Sequence, residues 1–176
     1  MRLSTGVLRL YCFDRTSTSC QKQQKRTSLT QYTSLKSEIM SYKTVNIKDR
    51  VDAITGHWQP ELLLTVNDSH SLKIAQIKGP FIWHCHPQTD EVFYCVSGGP
   101  FRIELSTKAQ SPEQAEKLGR DDAVELKVGD IFCVPQGMQH RPVADVETGI
   151  LMIEKVGTVN TGDQEGDERT VYVDEK

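Results

Sequence analysis

From about residue 43 onward the chain alternates short apolar runs with turn-forming residues. The runs are LLLTV (62–66), SLKIAQIKG (71–79), FIWHCH (81–86), EVFYCVSGG (91–99), FRIELS (101–106), DAVELKVGD (122–130), IFCVPQG (131–137) and GILMIEKVG (149–157). Most are rich in β-branched or aromatic residues and are bounded by Gly, Pro or Asp, which predicts strands. In VELKVGD, Val124, Leu126 and Val128 alternate with polar residues, the period-two signature of a strand buried on one face. VSGGPFRIEL reads as a hairpin with a Gly-Gly-Pro turn. Many short strands at this spacing predict an all-β sandwich or barrel.

One stretch breaks the β pattern. SPEQAEKLG (111–119) puts Ser111 at an N-cap, Pro112 at the first helical position, Gln114 where a capping box needs it and Gly119 at the stop. A two-turn helix is expected there, inserted in a long loop between two halves of the barrel. The last residues, TGDQEGDERTVYVDEK, are acidic; they are expected to be loose after Thr170, with TVYV free to add an edge strand. The pattern divides the chain into an extension (1–39), a β domain (43–165) and an acidic tail (166–176).

Composition separates the extension from the rest. Residues 1–39 hold twelve Ser or Thr and seven Lys or Arg against two acidic residues, Asp14 and Glu38. That balance fits an organellar transit peptide, a disordered tail, or a mispredicted start ahead of Met40. The remainder carries 14 basic and 22 acidic residues, net −8, which argues against a nucleic-acid partner. No apolar run approaches the ~20 residues needed to cross a bilayer, so no membrane partner is expected. The five cysteines, Cys12, Cys20, Cys85, Cys95 and Cys133, include no CxxC pair. Their odd number points to a reducing compartment: cytoplasmic, or mitochondrial if the extension is a transit peptide. Cys85, Cys95 and Cys133 lie in apolar stretches and are expected to act as small buried hydrophobes.

The chemistry concentrates in HCHPQTDE (84–91). On a strand, residues i and i+2 face the same way, so His84 and His86 project together. Glu91 follows a short turn and can bring its carboxylate beside them. Two imidazoles and a carboxylate suit a divalent transition metal such as Fe, Mn, Ni, Zn or Co. A fourth candidate, His140, comes from GDIFCVPQGMQH (129–140), where a strand ends at Pro135 and turns through Gly137. His57 and His70 have no partner motif and read as surface or satisfied polar residues.

These two blocks resemble the cupin superfamily. Gly79, His84-x-His86, Glu91 and Gly98 follow its first motif; Gly129, Pro135-x-Gly137 and His140 follow its second. Four residues rather than five separate Gly79 from His84, and Ala144 replaces a terminal Asn. The likeness is nearest to small single-domain cupins, mostly uncharacterised and often labelled mannose-6-phosphate-isomerase-like, which share stretches like HWQPEL (57–62), GTVNTG (157–162) and ERT (168–170). It implies a double-stranded β-helix, a jelly-roll-like barrel, with one divalent metal held by His84, His86, Glu91 and His140 and about two coordination positions open.

An open divalent ion supports two chemistries. One is Lewis-acid isomerisation, epimerisation or elimination of a small sugar or carboxylic acid; the other is an Fe-dependent dioxygenase reaction. A non-catalytic small-ligand-binding module is the third alternative. The candidate proton-handling or anchoring residues are Arg102, Glu104 and Asn160, with Tyr94, Gln136, Arg141 and Glu154 behind them. Arg102 and Glu104 share the strand face opposite Phe101, Ile103 and Leu105, and Arg102 can point inward as an anchor or outward to solvent. Tyr94 faces away from the ligand side of its strand. Trp83, Phe93 and Met138 are candidate pocket walls. A small-molecule substrate and a homodimer are the expected partners.

Overall fold

One long strand organises the molecule. The computed structural model describes residues 44–164 and 166–173, so the expectations for residues 1–39 lie outside the described residues. The elements run α1 (Ile47–Asp52), β1 (Glu61–Val66), β2 (His70–Pro80), β3 (Glu91–Gly98), β4 (Phe101–Leu105), α2 (Pro112–Leu118), β5 (Asp122–Leu126), β6 (Ile131–Val134) and β7 (His140–Lys155). β7 pairs antiparallel with β2 along one edge, from His70↔Lys155 to Pro80↔Val143. Its other edge takes β3, from Val92↔Ile153 to Gly98↔Thr148, and then β4, from Arg102↔Val143 to Leu105↔His140. β1 extends the sheet beyond β2, β6 beyond β3 and β5 beyond β4.

The interior face carries Ala75, Ile77, Phe93, Cys95, Phe101, Ile103, Leu126, Ile150 and Met152, packed into one core. The outer face of β2 and β7 is covered as well. Val51 of α1 packs there with Ile74 and Leu151, and Tyr94 joins them. β2 is therefore buried on both faces. α1 forms because Asn46 caps it, its side chain accepting from the Asp49 N–H at 3.1 Å; burying Val51 adds about 1.5–3 kcal/mol. α2 matches its expected position. Ser111 Oγ accepts from the Gln114 N–H at 3.3 Å, while Gln114 Oε1 takes the N–H of Gln110, one residue upstream of the usual box partner.

Five expectations need correction. β3 and β4 are not a hairpin: they run successively along the same edge of β7. Gly98, at positive φ, lies so close to β7 that a Cβ there would stand 2.2 Å from the Glu147 carbonyl oxygen, so the glycines make a kink rather than a reversal. Residues 81–86 are not a continuous strand; they keep one bridge, His84↔His140. The last strand starts at His140 rather than near Gly149, and spans Pro142 because that residue's carbonyl still accepts from the Phe81 N–H at 2.9 Å. Residues 171–173 add no strand; the Asn160 side chain accepts the Val171 N–H at 2.7 Å. Cys133 is exposed, whereas Cys85 and Cys95 are buried.

Among the described residues no helix is long and apolar enough to cross a membrane.

Candidate metal centre

His84 and His86 lie on the irregular arm that follows β2. The arm is extended at His84 because its N–H and C=O exchange hydrogen bonds with His140, at 3.1 and 2.9 Å. The two sequence blocks are thus joined backbone to backbone at the ligands themselves. A second joint holds the turn before Glu91: the Gln136 N–H donates to Asp90 Oδ1 at 2.8 Å, the Gln136 side chain to the Pro87 carbonyl, and the Gly137 N–H to the His86 carbonyl at 3.0 Å. Glu91 then opens β3 with its side chain facing inward, in step with Phe93 and Cys95.

The result is a buried cluster of His84, His86, Glu91 and His140, whose ligand atoms all lie within 4.8 Å of one another. Glu91 Oε2 sits 3.0 Å from His140 Nε2 and 3.2 Å from His86 Nε2. The other ring nitrogens are already committed. His84 Nδ1 meets the Ile82 carbonyl at 3.1 Å and His140 Nδ1 the Met138 carbonyl at 2.9 Å. A carbonyl accepts only, so each Nδ1 carries the proton and each Nε2 is left as a ligand atom. Burial beside the His140 and His86 rings holds His84 well below the ordinary histidine pKa, hence neutral. Burial opposes charge on Glu91, yet His86 and His140 outweigh it and hold its carboxyl well below the usual range. Burial likewise opposes charge on His86, but the Glu91 carboxylate raises its pKa. His86 Nε2 stands 3.2 Å from Glu91 Oε2 without hydrogen-bond geometry to it, so this buried nitrogen is free to turn its lone pair to a cation. These donors fit a borderline divalent ion, and the cluster can hold one.

A small cavity of ≈ 30 Å³, measured as space open to the centre of a water molecule, adjoins His84 and Glu91. Its walls include Trp58, Phe81, Phe93 and Met152, and its polar lining includes Lys73, Glu154 and Asn160. Lys73 Nζ lies 2.9 Å from Glu154 Oε1, with both side chains almost wholly buried.

The remaining candidates fall in different places. Arg102 and Glu104 sit on the outer face of β4, since Phe101, Ile103 and Leu105 take the interior. Arg102 turns outward to Glu104 and Asp145, at 3.0 and 3.1 Å. Asn160 reaches the cavity wall, but its amide is spent on the Arg169 carbonyl and the Val171 N–H. Tyr94 packs under α1. Arg141 pairs with Glu104 at 2.8 Å and lies 4.8 Å over the Trp83 ring, which belongs with Ala109 and Ala115 rather than the cavity. Met138 packs against the core. His57 and His70 are exposed.

Lys73 was not a candidate from sequence. Its signal was a lysine inside the otherwise largely apolar SLKIAQIKG, on the same strand face as Ala75 and Ile77. Asp163 was also missed; it accepts the Cys85 N–H at 2.9 Å, between two of the histidines.

A curled antiparallel sheet with histidines and a glutamate converging inside it defines a class of β-barrel proteins. The chain belongs to the cupin family: the family's profile, described as Cupin, matches residues 60–171. It is similar to the uncharacterized protein YdbB of Bacillus subtilis (strain 168), 33% identical over 89 residues that make up 51% of this chain and 66% of that protein. The chain thus spans just under two thirds of that relative's length. Among solved structures it resembles a cupin-2 domain containing protein from Shewanella frigidimarina NCIMB 400, at 28% identity and TM-score 0.51, covering 64% of this chain and 94% of that one. It also resembles hydroquinone 1,2-dioxygenase from Sphingomonas sp. TTNP3 in complex with 4-nitrophenol, at 17% identity and TM-score 0.54, covering 64% and 32%. At that identity the second likeness shows the fold alone.

Proposed function

We propose that His84, His86, Glu91 and His140 bind one divalent transition metal ion, and that the protein is a metal-dependent enzyme acting on a small polar metabolite. The observation that carries this is the convergence of four buried ligand atoms within 4.8 Å beside a cavity. A divalent ion held there supplies Lewis-acid polarisation of a substrate oxygen, the chemistry of isomerisation, epimerisation and elimination. The chain's own residues do the rest. His84 and His140 are held in one tautomer by carbonyls, the aromatic walls exclude water, and the Lys73–Glu154 pair places the cavity's acid–base groups. Space for about two waters admits only a small polar group, such as the carboxylate or hydroxyl end of a short sugar or small carboxylic acid whose remainder lies outside. Arg102 and Glu104 have no part in this proposal, and Asn160 enters it as a support for the cavity wall.

A second reading, an iron-dependent dioxygenase, is supported by the aromatic and apolar share of the cavity wall and accords with the activity named for the Sphingomonas fold relative. A second copy of the chain is the proposed partner, since β1 is an edge strand that exposes Leu64 and Val66.

The test is elemental analysis of the purified full chain, followed by a substrate screen with the metal found. We expect about one metal per chain, lost in His84→Ala and His140→Ala while circular dichroism stays native. Product from sugars or hydroxy acids without oxygen uptake supports the Lewis-acid reading; oxygen uptake on phenols replaces it with the dioxygenase. Saturable binding with no product leaves a binding module. A wild-type chain that takes up no transition metal overturns the proposal.

A further inference from the structure

We propose that Asp163 is a positioning residue of the metal centre, clamping its two ligand-bearing segments together from outside the cluster. The proposal rests on the metal-centre reading above and adds a residue that neither cupin motif contains. It starts from a gap in the sheet. The arm carrying His84 and His86 has a single bridge to β7, so the peptide groups of Cys85, between the two ligands, need partners elsewhere. Asp163 supplies both. Its Oδ1 accepts the Cys85 N–H at 2.9 Å, and its own N–H donates to the Cys85 carbonyl at 3.0 Å.

The second carboxylate oxygen reaches the other block. Oδ2 accepts from Gln139 Nε2 at 3.0 Å and from the Cys85 thiol at 3.4 Å. Gln139 is buried and directly precedes His140. One carboxylate therefore couples the residue between the first two ligands to the residue before the last. Three donors converge on its two oxygens, which a carboxylate satisfies and an amide cannot.

The segment around it is shaped for this contact. A Cβ on Gly162 would lie 2.1 Å from the Cys85 carbonyl oxygen and 3.1 Å from His84 Cδ2, so the backbone there rests directly on the ligand arm. The loop is closed by Asn160 holding the Arg169 carbonyl and the Val171 N–H, and by Thr161 with Thr170 at 3.0 Å. GTVNTG and ERT thus fold into one strap that presents Asp163. Metal affinity depends on ligands held to within about 0.5 Å, so loosening the arm should weaken binding without emptying the site.

The experiment uses cobalt(II) as probe and the metal-free full chain, with calorimetry for affinity and visible absorption for coordination geometry. Asp163→Ala is expected to bind cobalt roughly tenfold more weakly, the low end for residues that orient metal ligands, with an altered spectrum. Asp163→Asn should also weaken binding, because its single oxygen cannot take the Cys85 N–H, the Cys85 thiol and Gln139 Nε2 together. The exchange Asp163→Asn with Gln139→Glu restores a donor facing an acceptor and should recover part of the loss. A merely structural strap predicts no such rescue and no spectral change. Wild-type affinity and spectrum in Asp163→Ala overturn the proposal. If that variant does not fold, equal affinities for Asp163→Asn and the exchanged pair overturn it. A wild-type chain that binds no cobalt overturns the metal-centre reading and this proposal with it, whereas wild-type binding unchanged by the substitutions overturns this proposal alone.

Discussion

Glu104 and Glu154 are 4% and 3% exposed, both on strands of the same sheet, and they meet opposite surroundings. Glu104 faces outward from β4 into three guanidinium groups: Arg141 at 2.8 Å, Arg102 at 3.0 Å and Arg120 at 3.3 Å. Burial alone would raise its pKa, but the hydrogen bonds from Arg102 and Arg141 overcome burial and hold it below the usual carboxylate range. Glu154 faces the cavity with one cation, Lys73, and its Oε2 has no hydrogen-bond partner. Burial, reinforced by the Glu91 carboxylate, pushes it up to about 7 against the pull of Lys73. Equal exposure therefore does not mean equal role: Glu154 also lies deeper in the protein than Glu104. A carboxylate saturated with arginines fastens the fold; one left half-satisfied beside a cavity keeps capacity for a ligand's hydrogen bond or proton.

The largest expected effect is on the fastened side. Glu104→Leu leaves three arginines with a lost common acceptor and should cost about 2–3 kcal/mol, discounted because the arginines are partly exposed. Urea denaturation of the metal-free protein measures it. A loss below about 0.5 kcal/mol would mean the arginine cluster fastens nothing, and the contrast with Glu154 would fail.

The next effect is the pH dependence of that loss. Glu104 has its pKa depressed in the fold, so its contribution is present above the unfolded value of ~4.3 and disappears as pH falls through the lower folded value. The stability gap between wild type and Glu104→Gln should therefore be full at neutral pH and close in acid. A gap that widens below pH 4 would reverse the sign assigned to Glu104.

The same contrast explains what was legible in the sequence. The convergence of His84, His86, Glu91 and His140 was, because they sit in two short blocks whose spacing survives folding: His84 and His86 two apart, Glu91 one turn later, His140 after the Pro135–Gly137 turn. The outward turn of Arg102 and Glu104 was half legible, since Phe101, Ile103 and Leu105 alternate with them and a core takes the larger apolar set. Lys73 was not. β2 is covered by α1 on one face and fills the barrel on the other, so Leu72, Ile74 and Gln76 compete with Lys73, Ala75 and Ile77 for the interior, and alternation names neither face. α1 was missed because six residues carry too little period to read. The Gly98–Gly99 kink was misread because turn residues signal a bend in the chain without saying which strand pairs next.

The smallest effect falls on the cavity side, and its sign is the sharper test. A buried ion pair costs desolvation that its own attraction barely offsets, so replacing both partners with apolar groups of similar volume is commonly neutral or stabilising. Lys73→Met with Glu154→Leu should leave the metal-free protein as stable as wild type or up to about 1 kcal/mol more stable at pH 7. The gain should grow with pH. Glu154 keeps its proton in the fold up to about 7 but loses it near ~4.3 when unfolded, so the wild-type chain loses ground between those values and the apolar variant does not. The single change Glu154→Leu, which removes a buried counter-charge of Lys73 while its bond to the Thr158 carbonyl at 2.8 Å stays, should instead destabilise. If the double variant were much less stable than wild type, the Lys73–Glu154 pair would belong with Glu104 as a fastening. If it were stable, held cobalt normally and lost a small-ligand affinity that wild type had shown in the same screen, the pair would be a feature kept for the ligand at the expense of the fold.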